Sequence, residues 1–234
     1  MSLFKFKQFH IQQDPKVFKV GTDAVLLGAS VLLDSSKHIL DIGTGTGIIA
    51  LMLAQRFPQA QITGIDQGKE QYLCSQFNFK NSPYKDRLHA MHCEVSEIPE
   101  EDKFDLVVCN PPYFEDALLP DAIENKVSKH IAKNGLLKWM LHAKEHLATT
   151  GKLYYILPYQ QSLHVQAQLE KEGFHCTYKK TIQSFKAQEP VRQIVGFSLE
   201  QSKDFLEEEL VIYTSPRNYS EAYRKLTKDF HPFL

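Results

Sequence analysis

The chain has 234 residues, of which 43% are hydrophobic and 24% charged, with a formal net charge of -1. That is enough apolar material for one substantial core. It is too little positive charge for a wholly basic nucleic-acid coat, although one basic face remains compatible with it.

Phe4, Phe6, Phe9 and Ile11 alternate with polar residues and change phase once, which predicts a bulged strand or hairpin. Asp14-Pro15 marks a turn. After Val20-Gly21-Thr22-Asp23, the apolar residues 24–33 read as a helix. Strand and helix then alternate. Strands are predicted over 38–42, 61–66, 88–93, 104–109 and 152–157, and helices over 48–57, 69–79, 135–147 and 162–172. Such alternation means a parallel sheet with helices on both faces, an α/β fold. Three further strands, 175–182, 193–199 and 209–213, lack intervening helices and predict an antiparallel edge. Residues 218–230 read as a terminal helix, and 114–133 as an unusually long loop. The expectation is one domain over 1–234, with 1–35 as an N-terminal hairpin and helix extension and 36–234 as the core.

Cys74, Cys93, Cys109 and Cys176 form no C-x-x-C pair, so neither a zinc ribbon nor a thioredoxin-type centre is signalled. Scattered cysteines fit a reducing cytosol. The N-terminus has no long apolar segment of the secretory kind, and no apolar run approaches the ~20 residues of a membrane span. The ten histidines include no H-E-x-x-H. A cytoplasmic protein without a metal and without a membrane segment is expected.

Leu40-Asp41-Ile42-Gly43-Thr44-Gly45-Thr46-Gly47 joins the first central strand to its helix. Glycines there let the backbone turn tightly and approach a ligand. The spacing is G-x-G-x-G, not the G-x-G-x-x-G of the pyrophosphate-binding form. Asp41, just before the glycines, would suit a cationic ligand amine such as that of S-adenosylmethionine. Asp66 ends the next strand, where a carboxylate can accept hydrogen bonds from both ribose hydroxyls. Glu94 follows the third strand, where an acidic side chain could meet an adenine amino group. Alone, Asp41 and Asp66 read better as turn caps, and Glu94 is equally a solvated strand end; Asp41 and Asp66 together with the glycines and the βαβ pattern point to a ribose-bearing cofactor.

Asn110-Pro111-Pro112-Tyr113 follows the apolar strand 104–109 at its C-terminal end, where ligands bind in open α/β sheets. Two prolines fix the backbone and remove two N–H donors. What remains is acceptor-rich: the Asn110 side-chain oxygen and the Pro111 carbonyl. An exocyclic amino group is a poor nucleophile because its lone pair is delocalised. Two acceptors gripping its hydrogens would favour rehybridisation and stabilise the charge that develops during attack. Tyr113 would stack on the substrate plane, worth ~1–3 kcal/mol for a base. The plain alternative is a proline-stiffened turn.

These residues resemble the Asn-Pro-Pro-Tyr class of amino-methyltransferases. The chain is similar over nearly its whole length to one family, the bacterial tRNA1(Val) (adenine-N6)-methyltransferases, which modify the adenine 3′ of the anticodon. The resemblance runs through Phe6-Lys7-Gln8-Phe9, Lys19-Val20-Gly21-Thr22-Asp23 and Leu26-Leu27-Gly28-Ala29. It continues in Leu40-Asp41-Ile42-Gly43, Leu51-Met52-Leu53-Ala54-Gln55-Arg56, Asn110-Pro111-Pro112-Tyr113 and Asn218-Tyr219-Ser220-Glu221-Ala222-Tyr223. The glycine loop and N-P-P-Y carry the class; the two ends of the chain carry the family.

The resemblance implies a Rossmann-like class I methyltransferase fold, a mostly parallel seven-stranded sheet with an antiparallel C-terminal edge. It implies S-adenosyl-L-methionine as cofactor, held by Lys19, Thr22, Asp41, Gly43, Gly45, Asp66, Glu94 and Asn110. Asn110, Pro111, Pro112 and Tyr113 are implied as the catalytic segment, and a tRNA anticodon loop as partner; the sequence does not fix the oligomeric state, with a monomer favoured. Glu94 departs from the family, which more often has Asp there.

Three basic runs are candidates for phosphate contact: Lys126, Lys129, Lys133 and Lys138; Lys179, Lys180, Lys186 and Arg192; and Arg217, Arg224, Lys225 and Lys228. A charge run is also simply a solvated face. Methylation of a glutamine amide in a protein such as a release factor is an alternative, since that amide is also planar. Enzymes of that kind carry an N-terminal helical domain, for which the glycine loop begins too early. N6-adenine methylation of another RNA or DNA, and a non-enzymatic RNA-binding module, are further alternatives. The glycine spacing argues against a nicotinamide dehydrogenase.

Overall fold

The structure is a computed structural model that describes residues 2–17, 19–33, 37–111, 124–201 and 205–232, with side chains in 124–145 described from residue 135 onward. The chain opens with an antiparallel hairpin, β1 (Ser2–Lys5) and β2 (His10–Gln13), which pairs Ser2 with Gln13. Helix α1 (Thr22–Ser30) is buried from Ala24 to Ser30, because it is apolar on every side. The alternating core follows as β3 (His38–Ile42), α2 (Ile48–Arg56), β4 (Gln61–Asp66), α3 (Lys69–Lys80), β5 (Leu88–His92), β6 (Phe104–Cys109), α4 (Glu124–Glu145), β7 (Leu147–Pro158) and α5 (Tyr159–Lys171). The chain then forms β8 (His175–Phe185), β9 (Arg192–Ser198), β10 (Leu206–Ser215), β11 (Asn218–Tyr219) and α6 (Glu221–Thr227).

The main sheet has the order β5-β4-β3-β6-β7-β9-β8-β10-β11. Strands β3 to β7 are mutually parallel, and β9 is antiparallel to both β7 and β8. Seven strands therefore match the expected sheet. Two more extend it: β10, expected in the antiparallel edge, runs parallel to β8 instead, because it joins β8 and not its chain neighbour β9, and β11 returns antiparallel at the outer edge.

Burial on both faces explains why the central strands are apolar without alternation. Ile39, Ile62, Leu106, Val108, Tyr154 and Ile156 join one cluster with α1, α2 and the N-terminal aromatics. Leu40, Ile42, Val107, Cys109, Leu153 and Tyr155 join the opposite cluster with α4 and α5. Arg56, at the end of α2, donates to the carbonyls of Gly28 and Val31 at 2.7 and 2.6 Å, which caps the last turn of α1. Among the described residues no helix is long and apolar enough to cross a membrane.

Several boundaries differ from the sequence reading: α1, α5, β8 and β10 by about three residues at one end or both, and three others in ways that have a physical reason. Asn218 and Tyr219 are a short strand on β10, and the last helix starts only after Ser220, whose hydroxyl accepts the Tyr223 N–H at 3.0 Å. Helix α4 begins at Glu124, so Gly135 lies inside it; an isolated glycine costs ~1 kcal/mol, too little to end a 22-residue helix. The second half of the expected 114–133 loop is thus helical, while 112–123 lie outside the described residues. Strand β7 starts at Leu147, five residues before the predicted start, because Phe104 pairs with Leu147 across a register shift.

Gly47 enters α2 at φ 83°, and a Cβ there would lie 2.4 Å from the Phe79 ring; at Gly43, φ 69°, a Cβ would meet nothing within 4 Å. Gly47→Ala is expected to cost about 2–4 kcal/mol and Gly43→Ala only about 1 kcal/mol, read from urea unfolding midpoints. Equal losses would contradict the packing of Phe79 against this turn.

Candidate active site

The strand β3 ends in a turn braced by two carboxylates. Gly43, Gly45 and Gly47 all have positive φ, at 69°, 56° and 83°, so the turn needs residues without a Cβ. Asp41 Oδ2 accepts the Thr44 hydroxyl at 2.7 Å, and the Thr44 N–H donates to the Ile65 carbonyl at 2.9 Å. Asp66 Oδ2 accepts the Gly45 N–H at 3.0 Å, and its Oδ1 accepts the Gly68 N–H at 2.9 Å. Gly64 stands level with Asp41 on β4, where a Cβ would come within 2.7 Å of the Thr44 hydroxyl.

Asp41 has no solvent exposure, and its Oδ1 has no hydrogen-bond partner. Burial raises its pKa from 3.8 to about 7, against smaller lowerings by the Thr44 hydroxyl and the Ala50 backbone N–H at the start of α2. Burial also raises the pKa of Asp66, partly offset by the Gly68 and Gly45 N–H groups.

The glycine turn forms one wall of a cavity of about 660 Å³. Asp66 and Gln71 line it after β4, Cys93 to Val95 after β5, Asn110 and Pro111 after β6, and Trp139 from α4. Val17, Lys19, Gly21, Asp23 and Ala24, from the N-terminal segment, complete it. The structure therefore brings together Lys19, Gly43, Gly45, Asp66, Glu94, Asn110 and Pro111 around one space.

Two expected contacts are placed differently. Asp41 lies beneath the turn and not on the cavity wall. Thr22 is exposed and off the wall, whereas its neighbours Gly21 and Asp23 line it. Glu94 serves a local purpose as well, since it forms a reciprocal capping box with Glu97 at the start of a short 3₁₀ turn. Pro112 and Tyr113 lie outside the described residues. Among the described residues no cluster of His, Cys, Asp or Glu is placed to hold a metal ion.

Sequence reading missed Trp139, the single tryptophan of the chain, which sat unmarked within a predicted helix. It also missed two ties that hold the N-terminal segment in place. Buried Asn78 on α3 accepts the Gln12 N–H at 2.9 Å and donates to Gln12 and Thr46 carbonyls at 3.1 and 2.8 Å, joining β2 to the glycine turn. Arg192 Nε donates to Asp23 Oδ2 at 2.8 Å, joining α1 to β9. Arg192 is thus engaged within the fold instead of standing free for phosphate. Lys180 is likewise buried, 3.2 Å from Glu208 and 3.3 Å from the Ser30 hydroxyl. The side chains of Lys126, Lys129 and Lys133 lie outside the described set.

Residues 9–188 match the family described as the methyltransferase small domain. The chain belongs to this family. Relatives over almost the full length carry a more specific name. A protein of Actinobacillus pleuropneumoniae serotype 7 (strain AP76), 38% identical over 97% of this chain and 96% of its own, is named tRNA1(Val) (adenine(37)-N6)-methyltransferase. So is one of Flavobacteriaceae bacterium (strain 3519-10), 37% identical over 100% of both chains. Among solved structures, a predicted O-methyltransferase from Agrobacterium tumefaciens shares the fold with a TM-score of 0.71 at 19% identity, covering 89% of this chain and 96% of its own. A methyltransferase from Pyrococcus furiosus does so with a TM-score of 0.59 at 18% identity, covering 82% and 90%. The chain is therefore a methyltransferase, with its glycine turn and Asn110-Pro111 on one cavity.

The Asp23–Arg192 pair is half-buried and fixes the N-terminal wall of that cavity. Arg192→Ala in the methyltransferase is expected to raise KM for its methyl donor about tenfold while kcat stays within about twofold. Exchanging the two charges, Asp23→Arg with Arg192→Asp, is expected to recover part of the loss in steady-state assays. A fall in kcat alone would contradict a wall-fixing role.

Proposed function

We propose that this methyltransferase transfers a methyl group from S-adenosylmethionine to the exocyclic N6 of adenine 37 in tRNA1(Val), the reaction for which its relatives are named. The observation that carries this reading is the placement of Asn110 and Pro111 on the same cavity as the glycine turn.

The residues present fit the cofactor. A volume of about 660 Å³ lies within the usual range for small-molecule sites. The glycine turn leaves a cradle free of Cβ atoms, and Asp41 Oδ1 beneath it is a buried acceptor that makes no hydrogen bond of good geometry. Asp66 would take the ribose hydroxyls with its remaining lone pairs, and Glu94 would meet the adenine edge. Lys19 and Asp23 would close the N-terminal side, and Trp139 would offer an aromatic face. S-adenosylmethionine supplies an already activated methyl when bound.

The protein's own work is to hold the nucleophile. Asn110 and the Pro111 carbonyl would accept the two N6 hydrogens, localising the nitrogen lone pair and stabilising the developing positive charge. Pro112 and Tyr113 complete the segment in this reading, with Tyr113 stacked on the base. An anticodon loop is single-stranded, so its bases are splayed out at modest cost. Residues 1–35 act as the extension that walls the cavity, and 36–234 as the core of one catalytic unit. A tRNA substrate places the reaction in the cytoplasm, and one active site per chain asks for no second subunit.

Incubation with labelled S-adenosylmethionine and tRNA lacking the modification is expected to label adenine 37 of tRNA1(Val), located by mass mapping. Asn110→Ala is expected to lower kcat about 10²–10³-fold with cofactor affinity within about fivefold. Label entering protein, or no tRNA accepting it, would overturn the assignment.

A further inference from the structure

We propose that the outer end of the sheet, formed by the β8–β9 turn, the β10–β11 turn and the first turns of α6, docks the duplex stem that adjoins the methylated RNA loop. The proposal rests on the RNA-methylation reading above.

The small-domain family match ends at residue 188, whereas the relatives named for tRNA1(Val) match 97% to 100% of the chain. What this chain shares with those relatives beyond the broad family is therefore β9, β10, β11 and α6. Strand β9 belongs to the seven-stranded core, while β10 and β11 enlarge the sheet. Neither touches the cavity. Their contribution lies elsewhere.

The register shows where they reach. Cys109, Tyr155, Val195, Lys179 and Glu207 lie side by side across β6, β7, β9, β8 and β10. Strand β6 stops at Cys109, immediately before Asn110. Strands β8 and β10 continue to the paired residues Phe185 and Tyr213. Six further residues of strand extend roughly 20 Å beyond the level of Cys109. The ribbon thus projects at the same end of the sheet as the catalytic segment. Its reach is on the order of half a turn of a duplex.

The tips of the ribbon carry an unusual pair. Among the described residues, Ala187 and Arg217 are the non-glycine residues with positive φ, at 63° and 67°, and each sits in one of these two turns. A glycine would relax either position; at 217 the side chain kept at that conformational cost is a cation, which points to a use. Lys186 and Arg217 are exposed at the tips, and Arg224 and Lys225 are exposed on α6 beside them. Glu189 and Glu221 are the acidic neighbours, so cations outnumber anions locally in a chain whose net charge is only -1. At the base, Phe185, Tyr213 and Tyr219 form a half-buried stack with centroid spacings of 5.6 and 5.1 Å. The stack continues onto buried Tyr223 at 4.5 Å, which stiffens the turns from within.

Cations set on a stiff ribbon away from the reaction centre suit phosphates of a helical stem. Such contacts read shape and backbone and carry no sequence information. Lys180 and Arg192, engaged with Glu208 and Asp23, are not part of this surface.

The test is the double variant Lys186→Ala/Arg217→Gly, in which the second change also relieves the backbone. With full-length tRNA the variant is expected to show KM raised about tenfold, with kcat and cofactor affinity unchanged. The salt dependence of tRNA binding is expected to lose about two units of log-log slope. A short single-stranded loop RNA without a stem is expected to be methylated equally by both proteins. A variant with unchanged KM and salt slope would overturn the docking surface alone. So would an equal loss on the stemless RNA. If the unaltered protein labels no RNA at all, the parent reading fails and the docking surface with it.

Discussion

One buried carboxylate underlies the site. Asp41 has no access to solvent, so its ionised form is costly, and its pKa stands near 7 instead of 3.8. In the ligand-free protein the unfolded chain loses this proton at lower pH than the folded one does. Stability from this group therefore falls as pH rises from the ordinary carboxylate value to about 7. The fold retains the group because Thr44 hangs from one of its oxygens, and the turn of three left-handed glycines is fixed through Thr44. The other oxygen makes no hydrogen bond of good geometry, and besides Thr44 only the Ala50 N–H in the first turn of α2 favours the ionised form. A buried acceptor of that kind is most stable when a cation arrives above it.

The rest of the cavity follows from fixing this turn. Asp66 ties the turn to the start of α3 through Gly45 and Gly68, and Asn78 ties it to the N-terminal hairpin through Thr46 and Gln12. The N-terminal segment is then held at its far end by Asp23 and Arg192. These links run from β9 through α1 and β2 to the loop after β3, so the cavity wall is assembled from segments distant in sequence. On the opposite side, the rigid strand β6 delivers Asn110 and Pro111 to the same space.

Much of this was legible in the sequence. The strands β3, β4 and β6 match their predicted limits at both ends, because each carries buried β-branched or leucine residues and stops at a turn residue, the Gly43 loop, Asp66 or Asn110. The glycine turn, Asp66 and Asn110 were legible because their spacing is tied to strand ends. Asp41 was legible as important, while its place beneath the turn and off the cavity wall was not, since spacing does not reveal which face of a strand a residue takes. The Asn218–Tyr219 strand was hidden because a two-residue strand exists only through its pairing with β10. Arg192 looked like surface charge because its partner, Asp23, is 169 residues away. The start of α4 was missed because a glycine inside a polar helix resembles a start signal.

The direct measurement is cofactor affinity as a function of pH for the unaltered protein and for Asp41→Asn. Asp66 also faces this site, and it is unchanged in the variant, so the difference between the two profiles isolates Asp41. For the unaltered protein, binding of the cationic S-adenosylmethionine is expected to tighten as pH rises through about 7, where Asp41 ionises, and then to level off. The amide variant, neutral throughout, is expected to lack that step. Identical pH profiles for the two proteins would contradict a buried charge beneath the glycine turn as the basis of the site.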